Sequence, residues 1–395
     1  MPKALIEVHS PIGRSDPQAV YMANSLSRMG WEVRLIQCLH SETEYVIPEG
    51  YISRDVELLS YVPIMPMWAK SAIIEFAIAC SQLLREWAPD VFIAYDFAGQ
   101  LCISHANAAC ASRIATKTIV MQLETVSYTS RFFDGDCMGI IADAWKSSLV
   151  VYPEPNRLLI DAKKMSECAA VPLGFDILSP TVPHLLGSQF LPRVLDASSK
   201  IDNKQECKIV YAGSVVEESY VIDALTAIGK IGLSSGLAIS LSVAGPIGAS
   251  VKECFLSLIE AIPFARYLGV LNQQQVQELV QDAHFSFIGW KPIDENFYYC
   301  APNKFFQALA LGAVPICVPS PIFLRALEGL NGLDFPCLDW NTALWENQLP
   351  SLLRYYLGRH QDVSSKNEQV FRDRMSWDVE FARFYKRNLS HDAVD

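Results

Sequence analysis

The sequence predicts an α/β protein of two domains, each built on a doubly wound parallel sheet with helices on both faces. Short apolar runs alternate with helical patterns along much of the chain, and this alternation is typical of βα units that pair in a parallel sheet. The chain has 395 residues, of which 51% are hydrophobic and 19% are charged. Because a single core seldom grows to that size, two cores are expected.

The first half of the chain shows the alternation most clearly. An apolar strand over Ala4–Val8 is followed by a helical pattern from about Asp16 to Met29. Further strands are expected over Glu32–Ile36, Val91–Ala94, Thr118–Gln122 and Ser148–Tyr152, with helices near Gly99–Ala111 and Asp136–Lys146. These elements predict a first domain over residues 1–176.

Composition marks the boundary between the domains. Residues 177–206 contain prolines and the polar stretch Asp196–Lys204, which is typical of a linker. The second domain is then expected over residues 207–372, and a final helix with its tail over residues 373–395.

The stretch Cys300–Val318 predicts a helix that begins beside an anion. Pro302 suits a first helical turn because it has no N–H group to leave unbonded. The amides of Asn303, Lys304 and Phe305 then face outward at the positive end of the helix, where anions bind. The ammonium of Lys304 adds a full charge to the same place.

The end of this helix and the segments before it follow a fixed order of motifs. Gly312 suits the left-handed residue that ends a helix, and Ala313–Val318 is an apolar run of the kind found in buried parallel strands. Upstream lie two strands that end in glycine, a third strand with its loop, a polar helix and a further strand: Ile209–Ser214, Leu241–Pro246, Tyr267–Leu271, Gln273–Ala283 and Phe285–Trp290. In this order the motifs resemble the nucleotide-binding half of the GT-B glycosyltransferases.

The resemblance implies a GT-B fold, with two Rossmann-like domains facing across a cleft and a C-terminal helix, here Ser376–Arg383, that crosses back to the first domain. It implies a hexosyltransferase-like enzyme that moves a sugar from a UDP-linked or GDP-linked donor to a hydroxyl of a saccharide, lipid-linked or small-molecule acceptor. Neither a metal nor a cofactor is expected. The expected role is synthesis of cell-surface polysaccharide or glycoconjugate.

The resemblance also assigns residues to the donor. Main-chain groups at the glycine-ended strands and in the loop after the third strand are expected to approach the diphosphate and the base. The expected donor-binding residues are Gly13, Gly213, Ser214, Gly245, Gly269, Val270, Lys291, Asn303, Lys304 and Gln307. Lys304 is also expected to act in catalysis, because its charge stabilises the leaving diphosphate.

The chain departs from the family at a pair of acids. Many retaining members carry two glutamates eight positions apart, whereas this chain has Tyr299 and Gln307 there. Gln307 still accepts a hydrogen bond from a ribose hydroxyl, although a neutral acceptor gives roughly half the strength of a charged one. A carboxylate from Asp294 or Glu295 is an alternative sugar contact. Retention and inversion of stereochemistry therefore both stay open.

Inversion requires a general base in the first domain, and the strand ends supply the candidates. Glu124 and His9 are the expected catalytic residues there, with Asp16 and Asp96 as weaker alternatives. Two other functions also stay open. One is a GT-B epimerase acting on a UDP-sugar; the other is a non-catalytic GT-B scaffold that binds a partner enzyme, which the missing glutamates favour.

Charge and cysteine usage bear on partners and location. The net charge is −11 and no long Lys/Arg block occurs, which argues against nucleic acid as a partner. Eleven scattered cysteines without a C-x-x-C pair favour a reduced, cytoplasmic setting. The apolar stretch from Tyr61 to Leu84 is interrupted by charges and is too short to span a bilayer, so it predicts a buried helix with a leading loop. Residues 61–68 are an alternative site of peripheral contact with the inner face of a membrane.

Overall fold

The chain forms two compact units. The computed structural model describes residues 1–12, 17–39, 47, 49–66, 69–109, 116–131, 137–168, 170–183, 206–329 and 332–390. Unit 1 comprises Met1–Ser179 together with the C-terminal residues from Phe381 onward, and unit 2 comprises Pro180–Glu380.

Unit 1 is built on a parallel sheet. Its strands are β1 (Lys3–Val8), β2 (Glu32–Cys38), β3 (Val56–Tyr61), β4 (Val91–Tyr95), β5 (Lys117–Met121), β6 (Ser148–Tyr152) and β7 (Gly174–Ile177). Its helices are α1 (Pro17–Arg28), α2 (Lys70–Trp87), α3 (Asp96–Ala109), α4 (Val126–Ser130), α5 (Cys137–Lys146) and α6 (Pro155–Glu167). Within the described ranges the strand order is β3-β2-β1-β4-β5-β6-β7, and every pair is parallel.

The buried residues of the two central strands, β1 and β4, are apolar apart from Glu7. Strand β4 is buried along its whole length, as its uniform apolar sequence predicts for a parallel strand covered on both faces. Glu7 of β1 is also fully buried, and its Oε2 accepts a hydrogen bond from the Tyr95 amide at 3.1 Å. A Cβ atom on Gly99 would lie 2.5 Å from that oxygen, so a glycine there lets α3 pack closely over the strand.

Unit 2 has the same architecture on a smaller sheet. Its strands are β8 (Cys207–Ala212), β9 (Ile239–Ala244), β10 (Ala265–Tyr267), β11 (Phe285–Ile288) and β12 (Val314–Cys317). Its helices are α7 (Val221–Ser234), α8 (Lys252–Ala261), α9 (Gln273–Gln281), α10 (Glu295–Tyr298), α11 (Asn303–Ala310), α12 (Pro321–Gly329), α13 (Trp345–Leu357) and α14 (His360–Val370), and the last helix is α15 (Trp377–Asn388). In the described residues the strand order is β10-β9-β8-β11-β12, again parallel throughout.

The predicted fold class is therefore confirmed in both units, and the structure adds two strands, β3 and β7. Strands β3 and β7 were not predicted, because both lie at the edges of the sheet and are partly exposed. The predicted leading loop follows β3. Helix α2 does form behind that loop and buries one face, as predicted. None of the helices in the described ranges is both long and apolar enough to cross a membrane.

The first residues of the predicted linker belong to folded structure. The predicted linker begins at residue 177, whereas the division between the units falls after Ser179. In unit 2 the hydroxyl of Thr181 donates to the carbonyl of Met375 at 2.5 Å, and the Trp377 amide donates to the carbonyl of Val182 at 2.8 Å. The rest of the predicted linker, residues 184–205, lies outside the described residues.

Helix α15 passes from one unit into the other, which confirms the predicted C-terminal crossing. The division falls between Glu380 and Phe381. In unit 1, Trp31 donates its indole N–H to the Tyr385 hydroxyl oxygen at 3.2 Å, and Arg387 lies 2.9 Å from the carboxylate of Asp176. The end of the chain is thus part of the first unit.

A buried histidine pair in unit 2 predicts a loss of stability in acid. His360 Nε2 lies 2.9 Å from the carbonyl oxygen of His284, and the two rings contact each other edge to face. Burial lowers the pKa of His360. The unfolded state therefore takes up a proton at a higher pH than the folded state, and stability falls as pH drops below about 6.5.

The test compares urea unfolding of the wild type and of His360→Gln between pH 7.5 and 5.5. The wild type is expected to lose more stability over this range than the variant, by up to about 1.4 kcal/mol per pH unit, the value for one proton. Equal slopes would exclude His360 as the titrating group. Because other groups titrate alike in both proteins, the difference isolates this ring.

Candidate active site

The strand order of unit 2 creates a topological switch point at the carboxyl ends of β8 and β11. The chain leaves β8 toward β9 on one side, while β11 lies on the other side, so the connections diverge at this point. In open α/β sheets ligands bind at such a switch point. Gly213 follows β8 there, and Trp290 follows β11.

Lys304 occupies the space that a side chain at position 213 would fill. It is the second residue of α11 and is half-buried. A Cβ atom built on Gly213 would lie 1.8 Å from Lys304 Nζ and 2.2 Å from its Cε. Gly213 also has a φ of +156°, a conformation that favours glycine. The glycine therefore brings the ammonium directly against the main chain at the end of β8.

The ammonium of Lys304 is held by aromatic rings. Its Nζ lies 4.7 Å from the ring centre of Tyr211 and 5.3 Å from that of Trp290. Among the described residues it has no carboxylate partner and no hydrogen bond. Ring faces attract a cation but do not neutralise it, so a positive charge is left at the switch point for an anion.

The strands next to Lys304 end in closely packed glycines. A Cβ atom on Gly245, which has a φ of +134°, would lie 2.1 Å from the carbonyl oxygen of Gly213. The Gly245 amide donates to the carbonyl of Gly269 at 2.9 Å, and the Gly245 carbonyl accepts from the Tyr267 hydroxyl at 2.7 Å. These contacts bring the ends of β8, β9 and β10 together at one edge of the sheet.

Two further residues predicted to bind the nucleotide-sugar donor, Ser214 and Val270, lie close to these strand ends. The carbonyl of Ser214 accepts a hydrogen bond from the Tyr211 hydroxyl at 2.6 Å, which fixes the turn after β8. Val270 is 66% exposed and follows Gly269, whose φ is +76° with open space around its Cα. Val270 is therefore accessible to a ligand.

The start of α11 differs from the prediction in one amide. Pro302 lies immediately before the first helical residue, and the Phe305 amide closes the first turn onto the Pro302 carbonyl at 3.0 Å. This leaves the amides of Asn303 and Lys304 for a ligand. Asn303 Oδ1 is buried and has no hydrogen-bond partner among the described residues, while the whole side chain of Gln307 is buried at 7% exposure.

The second predicted cation is paired. Lys291 Nζ lies 3.3 Å from a carboxylate oxygen of Asp223, and both side chains are about one-third exposed. The Lys291 amide donates to the carbonyl of Glu218 at 2.7 Å. Its charge is thus largely compensated within the protein, in contrast to that of Lys304.

Asp294, the alternative carboxylate for contacting the sugar, is engaged in a hydrogen bond within the protein. Asp294 Oδ1 accepts a hydrogen bond from the Phe297 amide at 3.0 Å and so caps the short helix α10. Tyr299 follows this helix and packs against Tyr298, with ring centres 4.8 Å apart. Glu295 is exposed.

In unit 1 the candidates lie at the carboxyl ends of different strands. His9 follows β1 and packs on Phe76, with ring centres 5.4 Å apart; burial lowers its pKa to about 4, so the ring is neutral at pH 7. Glu124 follows β5, and its Oε2 lies 3.4 Å from Nη1 of Arg157. Asp96 has a φ of +48° and accepts the Leu123 amide at 2.9 Å. Its carboxylate therefore holds a loop.

Two of the predicted residues cannot be placed. Gly13 and the alternative base Asp16 lie outside the described residues. In the part of the chain that the structure describes, no group of three or more His, Cys, Asp or Glu side chains is arranged to hold a metal ion.

The sequence did not predict the aromatic rings that contact Lys304. Tyr211 and Trp290 stand at the ends of two strands that are separated by more than 70 positions in sequence, so no local pattern joins them. The available signal was an aromatic residue at the carboxyl end of each of the two strands that flank the switch point. Arg157 was missed for the same reason, because it reaches Glu124 from another element.

Comparisons with known proteins identify the fold. No family model and no curated protein sequence matches the chain. Among solved structures, apo OtsA aligns with a TM-score of 0.70 at 8% identity, covering 99% of this chain and 100% of that one. HepE of Anabaena in complex with UDP and glucose aligns with a TM-score of 0.67 at 8% identity, covering 98% and 99%. A glycosyltransferase from Rickettsia africae aligns with a TM-score of 0.65 at 11% identity, covering 98% and 97%. With these neighbours and the two parallel sheets, the chain has the GT-B fold found in glycosyltransferases.

Proposed function

We propose that this protein is a glycosyltransferase that moves a sugar from a nucleotide donor to an acceptor hydroxyl without a metal ion. The observation that carries the proposal is the ammonium of Lys304, which has no carboxylate partner among the described residues and is held against Gly213 at the switch point of unit 2. A diphosphate is the anion that suits this place, because it combines charge with oxygens that accept hydrogen bonds from helix-start amides.

The proposed role of Lys304 is to stabilise the leaving group. When the bond between the sugar and the diphosphate breaks, negative charge grows on the diphosphate oxygen. A cation that already lies in place stabilises this charge more in the transition state than in the bound donor, which lowers the barrier. The amides of Asn303 and Lys304 add hydrogen bonds to the same oxygens.

Other residues of unit 2 are proposed to bind the nucleoside and the sugar. Gly213, Ser214 and Gly245 allow the diphosphate to approach the main chain, while the main chain at Gly269 and Val270 contacts the base. Gln307 is proposed to bond the ribose, and Asn303 Oδ1 offers an acceptor to a sugar hydroxyl. UDP is supported by the neighbouring structures that hold UDP, UDP-glucose or UDP-2-fluoro glucose, and GDP stays an alternative.

Unit 1 is proposed to bind the acceptor. Glu124 and His9 are the candidates that contact the attacking hydroxyl, since both follow strands of the unit 1 sheet. His9 is neutral at physiological pH because burial lowers its pKa to about 4, so its ring can accept a hydrogen bond but is a weak base.

The test of the function is a panel of UDP-linked and GDP-linked sugars with monosaccharide, oligosaccharide and lipid-linked acceptors. Release of nucleoside diphosphate that depends on an acceptor is the expected result. Interconversion of donor isomers without an acceptor would instead support an epimerase. Absence of nucleotide binding by calorimetry would support the scaffold and overturn the proposal.

Substituting Gly213 by alanine is expected to weaken binding of the nucleoside diphosphate about tenfold, or about 1.4 kcal/mol. The added methyl group takes the position of Lys304 Nζ, so the flexible lysine end has to move away. The positive φ of Gly213 also strains the alanine, and this cost is the same whether or not Lys304 is present. Calorimetry with UDP and GDP measures the change. In a Lys304→Ala background the same substitution is expected to have little further effect, because the charge it displaces is already gone. Equal losses in both backgrounds would contradict this explanation.

A peripheral membrane contact of unit 1 is proposed at the loop after β3, in keeping with a cytoplasmic enzyme of surface-polysaccharide synthesis. Val62, Ile64 and Met65 are 53%, 90% and 48% exposed, and Ile74 of α2 is 42% exposed. The Ile64 amide donates to Glu75 Oε2 at 3.2 Å, which holds the loop in this form. Residues 67–68 of the predicted contact lie outside the described residues.

The loop contact is tested by sedimentation with phospholipid vesicles. Ile64→Asp is expected to reduce the bound fraction several-fold, because it places a charge where apolar area enters the bilayer surface. Leu159→Asp is the matched control, since Leu159 is 66% exposed on α6. Equal binding by wild type and Ile64→Asp would remove this loop as the contact.

A further inference from the structure

The loop between β5 and α4 is held by side chains from several other elements. The Leu123 amide donates to Asp96 Oδ1 at 2.9 Å, and the Leu123 carbonyl accepts from the guanidinium of Arg157. The Glu124 carbonyl accepts from Gln122 Nε2 at 2.7 Å. Main-chain groups on both sides of Glu124 are thus bonded to side chains.

The far end of the loop is fixed in the same way. The Val126 amide donates to Asp161 Oδ2 at 2.8 Å, and the Tyr152 hydroxyl donates to the same oxygen at 2.8 Å. Thr125 Oγ1 caps α4 by accepting the Tyr128 amide at 3.2 Å. Asp161 and Tyr152 are both fully buried.

These supports are costly to the fold. The side chain of Arg157 is 4% exposed, and burying an ion is unfavourable unless its partners are well placed. Burial also raises the pKa of Asp161 to about 6, in spite of its hydrogen bonds and the nearby Lys164 and Arg157. Asp96 has a left-handed φ of +48°, which is a strained conformation for a residue other than glycine. Arrangements of this kind persist where the position of a group matters.

Glu124 is the partly exposed residue of this loop. Its side chain is 42% exposed, yet Oε2 itself is buried and lies 3.4 Å from Arg157 Nη1 without forming a hydrogen bond. The surface pair of Arg34 and Glu57 in the same unit differs, because there the hydrogen bond is formed at 2.7 Å. The charge of Arg157 therefore orients Glu124 through the buried Oε2, while the exposed remainder of the carboxyl group can meet another partner.

We propose that Arg157 is a positioning residue that orients the Glu124 carboxylate to accept a hydrogen bond from an acceptor hydroxyl. The class of acceptor is then a polyol or saccharide, whose hydroxyl the carboxylate aligns for attack. This inference rests on the proposed glycosyl transfer. It concerns only unit 1, so the donor site in unit 2 is expected to work independently of it.

The experiment uses the donor and the hydroxyl acceptor that react fastest in the panel above. Arg157→Gln and Glu124→Gln are each expected to reduce transfer to the acceptor about 10–100-fold, with acceptor KM or kcat affected and donor KM unchanged. Hydrolysis of the donor by water, and affinity for the nucleoside diphosphate by calorimetry, are expected to stay within twofold of the wild type. The double variant is expected to transfer sugar no more slowly than the slower of the two single variants, because both substitutions disrupt the same pair of Arg157 and Glu124.

Controls separate positioning from folding. Arg157→Lys keeps the charge and is expected to recover part of the transfer rate, while Arg34→Gln, which removes a surface arginine from the same unit, is expected to leave it unchanged. The Glu124 side chain is 42% exposed, and glutamine keeps its shape, so Glu124→Gln is expected to fold. This variant tests the role of the carboxylate even if Arg157→Gln unfolds.

Three outcomes overturn the inference. The first is normal transfer by Glu124→Gln, and the second is an equal loss of donor hydrolysis and transfer in Arg157→Gln. The third is that the wild type hydrolyses a donor and that no hydroxyl acceptor changes the rate. This outcome would overturn the inference about unit 1 without contradicting a donor site in unit 2. A wild type that binds no nucleotide would instead count against the proposed function.

Discussion

Replacing Lys304 by alanine is expected to slow sugar transfer by about 10²–10³-fold, or about 2–4 kcal/mol of barrier. The ammonium has no carboxylate partner among the described residues, and its nearest neighbours are the rings of Tyr211 and Trp290. Its removal therefore takes away charge stabilisation of the leaving diphosphate without leaving a protein anion unpaired. The fold is expected to be unaffected, because only ring contacts are lost.

The measurement is kcat and KM for the donor in steady-state turnover, with unfolding curves for each protein. Lys230→Ala is the matched control: Lys230 lies in α7 of the same unit, is exposed and pairs with Glu346. It is expected to turn over at the wild-type rate. A Lys304→Ala protein that keeps the wild-type kcat would remove this ammonium from the mechanism.

Gly245→Ala is expected to destabilise the protein by about 2–5 kcal/mol, from overpacking together with the left-handed backbone. The added Cβ atom would lie 2.1 Å from the carbonyl oxygen of Gly213 and 2.6 Å from its carbonyl carbon. These are backbone atoms of a neighbouring turn, so no flexible side chain can move aside. The turn itself has to shift, and with it the main chain proposed to receive the diphosphate.

Urea unfolding and calorimetry with UDP check both parts of this expectation. Gly236→Ala is the matched control, because Gly236 has a φ of +71° but nothing within 4 Å of the added atom. It carries only the backbone cost, about 1–2 kcal/mol, and is expected to leave UDP binding unchanged. If the two variants lose the same stability, the close approach of Gly213 and Gly245 has no energetic role.

The helix at position 303 was predictable because its signals are local. Pro302 cannot donate to a preceding turn, Gly312 has the expected positive φ of +78°, and the apolar run after it forms β12. Strand β3 was missed because it lies at the sheet edge with several residues half-exposed or exposed, so it lacks the continuous apolar run of the central strands. Local sequence thus predicted the elements whose burial is uniform.

The surroundings of the site could not be predicted in the same way. The contact of Lys304 with Tyr211 depends on the order of strands in the sheet, and the loop around Glu124 depends on Arg157 and Asp161 from α6. Charge balance also depends on the fold: Lys291 and Lys304 look equivalent in sequence, yet only Lys291 meets a carboxylate among the described residues. Packing partners that are distant in sequence decide these features.

The passage of α15 into unit 1 has a consequence for how the protein is made. Unit 1 is discontinuous in sequence, so Trp31 and Asp176 leave the ribosome long before their partners Tyr385 and Arg387 are synthesised. Unit 2, which is continuous, has all of its residues available first. The amino-terminal unit therefore completes its packing last, and a nascent chain that stalls before Phe381 holds a first unit without its closing helix.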